Sequence, residues 1–209
     1  MFARAQERIL NAIYPPTCIE CASADSWLCE SCFTDIAPGD ALTLSPFRRA
    51  WALSAYKDRR IQRLIKSYKY RAATCLEPVF QRLLSRMLNH PTDLDIVTWV
   101  PGDPDRARER GIDHGKRLAE LVANALGHGL QADALLLRSA SALPNATLPD
   151  NEAREGNIKN AFSCIQDLSG KRVLLVDDVC TTGATAQACA NLFIEAGAEN
   201  VDLLVFAKG

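Results

Sequence analysis

A chain of 209 residues that is 48% hydrophobic has room for one ordinary domain with a buried core and a small added module. No apolar run approaches the ~20 residues needed to span a bilayer, and the amphipathic start Met1–Leu10 lacks the uninterrupted apolar stretch of a signal peptide. Neither membrane insertion nor export is therefore expected, and a soluble, cytoplasmic protein is expected. The formal charge of −1 hides an asymmetry, because Arg48–Arg71 holds nine Lys or Arg against the single acid Asp58, a local net of +8. Such a stretch suits pyrophosphate, nucleic acid or plain solvent.

Residues 1–15 read as a short helix that Pro15-Pro16 ends. Four of the eight cysteines then follow as Cys18-x2-Cys21-x7-Cys29-x2-Cys32. Two Cys-x-x-Cys knuckles at this spacing aim four sulfurs at one point and suit a tetrahedral zinc ion. A four-thiolate shell has no open position, so the zinc is expected to be structural. Two disulfides are the alternative, which a reducing cytosol disfavours. The module is expected to span residues 1–45, and the main domain residues 46–209.

Ala50–Tyr56 reads as a strand. Ile61, Leu64, Ile65 and Tyr68 then fall at i, i+3, i+4 and i+7, one face of a basic helix. A further helix is expected from about Pro78 to Leu88. From Ile96 onward, apolar strands alternate with striped helices. The strands are Ile96–Val100, Leu135–Leu137, Phe162–Ile165, Val173–Val176 and Val201–Phe206. Leu118, Leu121, Val122 and Ala125 stripe one helix. Cys189, Leu192, Phe193 and Ala196 stripe another, which Gly197 ends. This pattern predicts an α/β fold with an open parallel sheet covered by helices on both faces. Cys75, Cys164 and Cys189 read as small core residues.

Open sheets of this kind bind ligands at the C-terminal ends of their strands. At such an end lies Asp177-Asp178-Val179-Cys180-Thr181-Thr182-Gly183-Ala184-Thr185-Ala186. Backbone N–H groups at a helix start, with the hydroxyls of Thr181, Thr182 and Thr185, form a cradle for a phosphate dianion. Asp177 and Asp178 are placed to accept hydrogen bonds from vicinal ribose hydroxyls, each worth roughly 1.5–3 kcal/mol if well made. These residues resemble the 5-phosphoribosyl-1-pyrophosphate (PRPP) loop of type I phosphoribosyltransferases. Cys180 inside the loop reads as a small residue chosen for fit or as an oxidisable thiol near a helix start.

The turn after Trp99-Val100-Pro101 runs from Gly102 to Gly115 and holds Arg106, Arg108, Arg110 and Gly111. Gly111–Lys116 is not a P-loop, having one residue too few between its glycines and Arg117 where Ser or Thr is required. His90, His114 and His128 are isolated, and only His114 lies near the proposed site.

Nearly the whole chain resembles the competence-protein-F family, a zinc ribbon joined to a type I phosphoribosyltransferase-like domain. The resemblance rests on the cysteine quartet, Leu64-Ile65-Lys66 with Lys69-Tyr70, Val100-Pro101, Arg108-x-Arg110-Gly111, Arg154-x-x-Asn157 with Ala161-Phe162, and the Asp-Asp loop. The sequence departs from it at Ile112–His114 and at Asn145.

The resemblance implies PRPP as donor, entering with Mg²⁺. It implies Asp177 and Asp178 as catalytic and ribose-binding residues, and Thr181, Thr182, Gly183, Ala184 and Thr185 around the 5′-phosphate. Arg106, Arg108, Arg110 and Gly111 would hold pyrophosphate, helped by Lys69. The stretch Ser139–Asn157 would be a lid bringing in Arg154 and Asn157. With little chain after Lys208, the N-terminal segment is expected to wall the acceptor. The implied function is phosphoribosyl transfer linked to DNA uptake and use. The alternative is a non-catalytic PRPP sensor that binds single-stranded DNA or a competence partner, with Trp51, Tyr56, Tyr68 and Tyr70 stacking bases. The acceptor and the oligomeric state stay open.

Overall fold

A computed structural model describes residues 15–71, 74–87, 93–139 and 161–209. The expected N-terminal helix, apart from its last residue, lies outside the described residues. So do His90 and the lid beyond Ser139, with Asn145, Arg154 and Asn157, and the side chains of Tyr70, Arg106 and Arg110.

The described elements, in chain order, are α1 (Glu30–Thr34), β1 (Arg49–Ala52), α2 (Arg59–Arg71), a 3-10 turn (Thr74–Leu76) and α3 (Glu77–Leu84). They continue with β2 (Ile96–Trp99), α4 (Pro104–Arg110), α5 (His114–Leu126), β3 (Leu136–Arg138) and β4 (Phe162–Cys164). The last three are β5 (Arg172–Cys180), α6 (Ala184–Glu195) and β6 (Asn200–Lys208).

β1, β6, β5 and β2 form one sheet in that order, parallel throughout. Its strands are apolar on both sides because both faces are covered. Leu174, Val176, Leu204 and Phe206 enter one core with Ile61, Leu64, Ile65 and Tyr68 of α2, Phe80 of α3 and Leu118 of α5. Val173, Leu175, Leu203 and Val205 enter the other with Cys189 and Phe193 of α6. The α2 stripe read from the sequence is thus the face that is buried. In α5 the stripe is shifted: Ala119 and Ala123 are buried, whereas Ala125 is exposed. Asp58 starts α2 by accepting from the Arg60 N–H at 2.8 Å, and Asp113 does the same for α5 through the Lys116 N–H at 3.1 Å.

Two elements differ from the sequence expectation. β3 and β4 do not join the parallel sheet but pair antiparallel with each other. Leu136 and Phe162 are buried beside α6, while Leu137 faces solvent. Strands so short and one-sided cannot sit inside a sheet covered on both faces. The turn after β2 is also not all loop, since α4 occupies Pro104–Arg110.

The cysteine module is clamped onto α2 and α3. The guanidinium groups of Arg82 and Arg86 each sit 3.8 Å from the Phe33 ring centre. Arg86 also donates to the carbonyls of Phe33 at 2.7 Å and Ile36 at 2.8 Å. Arg59 and Arg63 pair with Glu20. From the module, a strap runs antiparallel along the free edge of β1: the Gly39 N–H donates to the Leu53 carbonyl at 2.9 Å, and the Leu42 N–H to the Ala50 carbonyl at 2.8 Å. A Cβ on Gly39 would lie 2.1 Å from the Ala52 carbonyl oxygen, so no other residue fits there.

At the opposite end of the sheet Asp202 is fully buried and accepts from Arg48 at 2.7 Å and Arg49 at 2.6 Å. Both arginines are about one-third exposed and can rehydrate, whereas Asp202 cannot. Unequal costs follow on urea denaturation. Asp202→Asn is expected to cost about 1–3 kcal/mol. Replacing both arginines by methionine strands a buried carboxylate and is expected to cost about 3–5 kcal/mol. The reverse order of costs would refute this account of the network.

Candidate phosphoribosyl site and cysteine cluster

β5 does not end at Val176. It stays paired with β6 as far as Cys180, where Cys180 lies opposite Lys208. The two acids are therefore held in a strand, not in a free loop, and alternation sends them to opposite faces. Asp178 meets Lys69 of α2, Nζ to Oδ2, at 2.7 Å. Asp177 accepts from the Asp178 N–H at 2.8 Å. Burial, reinforced by the charge of Asp178, holds the Asp177 carboxyl well above the usual carboxylate range; that N–H bond and the Lys69 ammonium oppose the shift.

After Cys180 the chain turns through Thr181 and Thr182, both exposed, into α6. Gly183 makes the turn at φ +87°, a left-handed conformation that favours glycine. A Cβ there would also lie 2.8 Å from Leu44 of the strap, so the strap packs directly on the loop. The carbonyl of Ser45 accepts from Gln187 Nε2 at 2.8 Å. Thr182 Oγ1 accepts from the Ala184 N–H at 3.4 Å. Lys208 Nζ donates to the Thr181 carbonyl.

β2 lies beside β5 with Trp99 opposite Val176, so the segment after Trp99 leaves the sheet next to Asp177 and Asp178. Trp99 Nε1 donates to Asp113 at 3.2 Å. A Cβ on Gly115 would lie 2.9 Å from the Trp99 ring, so α5 starts tight against the end of β2. Gly111 turns the chain at φ +69°. Arg108 is exposed and pairs with Asp105 at 2.9 Å. The backbone thus brings the Asp-Asp strand, the threonine turn and the Arg108–Gly111 segment to the same end of the sheet.

Three questions that the residues left open are decided by the packing. Cys180 is buried in the core beneath the loop, and burial pushes its thiol up, so it is not an activated nucleophile. His114 is also buried, edge-on to the Tyr68 ring at 5.0 Å, and serves the core. The basic stretch is largely spent on ion pairs: Arg48 and Arg49 on Asp202, Arg59 and Arg63 on Glu20, Arg60 on Asp58, Lys69 on Asp178. Tyr68 is buried and Trp51 lies under the Arg49 guanidinium, so neither offers a free stacking face. Sequence periodicity pointed to Tyr68 as core; nothing in it pointed to the strap residue Leu44.

The ligand atoms of Cys18, Cys21, Cys29 and Cys32 lie within 4.8 Å of one another. Tetrahedral thiolates at ~2.3 Å from zinc stand ~3.8 Å apart, and Cys21 Sγ and Cys29 Sγ are separated by 3.6 Å. All four cysteines are free thiols. The cluster fits a metal ion. Cys18 is buried, which opposes ionisation, but N–H donors around its sulfur bring its thiol down to about 6. None of the helices among the described residues is long and apolar enough to cross a membrane.

Comparison with known proteins agrees with this architecture. Residues 115–209 match the family described as phosphoribosyl transferase domain. An adenine phosphoribosyltransferase from Frankia casuarinae is 35% identical over 60% of this chain and 68% of its own length. Another, from Nocardia farcinica, is 37% identical over 47% of this chain, which spans about half of that relative, 51%. The DNA utilization protein YhgH of Escherichia coli O6:H1 is 26% identical over 89% of this chain and 86% of its own. The chain belongs to the phosphoribosyltransferase domain family, in the competence-protein-F-like group with a four-cysteine module at its N-terminal side.

Proposed function

We propose that this protein binds Mg-PRPP and transfers its phosphoribosyl group to an acceptor. The observation that carries the reading is the acid pair at the end of a central parallel strand, immediately before a left-handed glycine turn and a helix start. In this reading Thr181, Thr182, Gly183, Ala184 and Thr185 hold the 5′-phosphate. Asp177 and Asp178 hold the ribose hydroxyls and face the positive charge that develops at C1′ as pyrophosphate leaves. Lys69 pairs with Asp178 at 2.7 Å and stands close enough to meet the departing pyrophosphate. The backbone of the Arg108–Gly111 turn, with Arg106, Arg108 and Arg110, receives that group; Arg154 and Asn157 would come from the lid. Mg²⁺ entering with PRPP would reduce the charge that must separate.

The likeness to DNA utilization proteins supports a role in using DNA-derived material. A single-stranded-DNA surface along α2 finds less support, because its arginines are already paired. The cysteine quartet is proposed to hold one structural zinc that ties the module together, consistent with a cytoplasmic setting.

Calorimetry with Mg-PRPP should give saturable binding. Asp178→Asn should weaken it by about 1.5–3 kcal/mol, roughly tenfold or more; unchanged affinity would remove Asp178 from the site.

The raised Asp177 carboxyl sets the sign of a pH effect. Below its folded-state value the group carries a proton, and a ribose hydroxyl donates more strongly to the carboxylate than to the neutral acid. Binding should therefore release a proton, and affinity should fall as the pH falls through that range. Calorimetry in buffers of different ionisation enthalpy measures the released proton. In Asp177→Asn the pH dependence should disappear.

Metal analysis of freshly reduced protein should find one zinc per chain. Chelation should open the module to proteases, since metal binding supplies on the order of 10 kcal/mol of its folding free energy. A metal-free sample whose module stays protease-resistant would overturn the assignment.

A further inference from the structure

The strap that leaves the cysteine module ends against the phosphate loop, at the loop's glycine. Gly183 opens α6 at φ +87°, and a glycine backbone can leave that conformation at little steric cost. The directions of the N–H groups that follow it therefore depend on what holds the turn. Leu44 holds it from outside. Its Cδ2, Cδ1 and Cγ would lie 2.8, 2.9 and 3.4 Å from a Cβ at Gly183, so its isobutyl group fills the space that a side chain would take there. The same group packs on the core that contains Cys180, Ala186 and Cys189 beneath the loop. One residue on, the Ser45 carbonyl accepts from Gln187 Nε2 at 2.8 Å. The Gln187 N–H donates to the Gly183 carbonyl at 2.8 Å, so Gln187 joins the strap to the first turn of α6.

The other end of the strap is fixed in the module. Ile36 is buried in the core under α2 and α3, and its carbonyl accepts from Arg86 at 2.8 Å. Between the two ends the strap is bonded to β1 and its continuation: Gly39 to Leu53, Asp40 to Ala52 and Leu42 to Ala50. Extended backbone sends successive side chains to opposite sides. Leu42 and Leu44 are accordingly half-buried, while Ala41, Thr43 and Ser45 are exposed. Leu44 stands only twelve residues after Cys32. The path from the cysteine cluster to Gly183 is thus short, hydrogen-bonded and packed.

We propose, resting on the donor reading above, that Leu44 is a positioning residue for a phosphorylated pentose and that the strap makes the cysteine module part of the donor site. Leu44 acts through Gly183. It holds the turn so that the N–H groups at the start of α6 converge on the 5′-phosphate before the ligand arrives. Without it the same contacts can form, but binding must also order the turn, which lowers affinity. Such coupling is reciprocal, so a bound 5′-phosphate holds the strap on β1 in return.

Two measurements on the full chain test this. Calorimetry gives the Mg-PRPP affinity of the wild type, Leu44→Ala, Leu44→Met and Gly39→Ala, the last lifting the strap off β1 at its module end. Amide hydrogen exchange in the ligand-free proteins compares Gln187 with Leu175, which is paired on both sides within the sheet. Leu44→Ala and Gly39→Ala are expected to bind Mg-PRPP about tenfold more weakly. Leu44→Met, which conserves volume, should stay within about twofold of the wild type. In the two weakened proteins the Gln187 amide should exchange about tenfold faster with Leu175 unchanged, because the opening is local. Mg-PRPP should slow exchange of the Leu42 amide in the wild type and not in Leu44→Ala. Unchanged affinity in Leu44→Ala would overturn the positioning role, as would Gln187 and Leu175 accelerating alike, the mark of a residue that serves stability alone. Wild-type affinity in Gly39→Ala would overturn the part given to the module; should that variant fail to fold, the Leu42 amide decides the same point. Failure of the wild type to bind Mg-PRPP would instead overturn the donor reading, while Gln187 exchange in the ligand-free protein still reads the hold of Leu44 on the loop.

Discussion

The pairing of β5 with strands on both of its sides is the constraint on which the rest of this protein depends. From Arg172 to Cys180 the strand is held by β6, and over its first half by β2 as well. Its apolar stretch, Val173–Val176, is buried on both faces and anchors two separate cores. Where the residues change from apolar to acidic the pairing to β6 continues. Asp177 and Asp178 are therefore carried on a rigid element rather than a loop, at the cost of burying one carboxyl beside another. The Lys69 ammonium offsets part of that cost.

Lys69 also connects regions far apart in sequence. It sits near the end of α2, whose first turns hold the cysteine module through Arg59 and Arg63 on Glu20. One helix thus contacts the metal-type module at its start and the acid pair near its end. The strap makes a second connection, from the module along β1 to Gly183. The two contacts explain why a small module with little core of its own is built into the domain: its residues Leu28, Phe33 and Ile36 belong to the same buried cluster as α2 and α3.

Much of this was legible in the residues. Apolar spacing identified α2 and its buried face, the continuous strands, and the covered parallel sheet. The Cys-x-x-Cys pairs marked the cluster, and the Asp-Asp-Thr-Thr-Gly run falls, as the strand pattern implied, at the C-terminal end of a strand of the parallel sheet. Errors arose where a local pattern admits two tertiary outcomes. Leu135–Leu137 and Phe162–Ile165 read as sheet strands, yet they pair only with each other because each can bury one face alone. For Cys180 the residues left two readings, a small residue chosen for fit and an oxidisable thiol; the strand runs four residues past its apolar run and buries the sulfur, which favours the first.

Taken by itself, the sequence determined most of the helices and strands, which faces are apolar, and which residue types gather at the end of β5 and in the cysteine cluster. These follow from local spacing, because 3.6 and 2 residues per repeat set which side chains share a face. The tertiary structure alone decided the partners: Lys69 on Asp178, Arg48 and Arg49 on Asp202, and Leu44 on Gly183. Those contacts depend on strand order and on how helices dock, and residues such as Arg48 and Asp202, 154 positions apart, carry no local signal of their meeting.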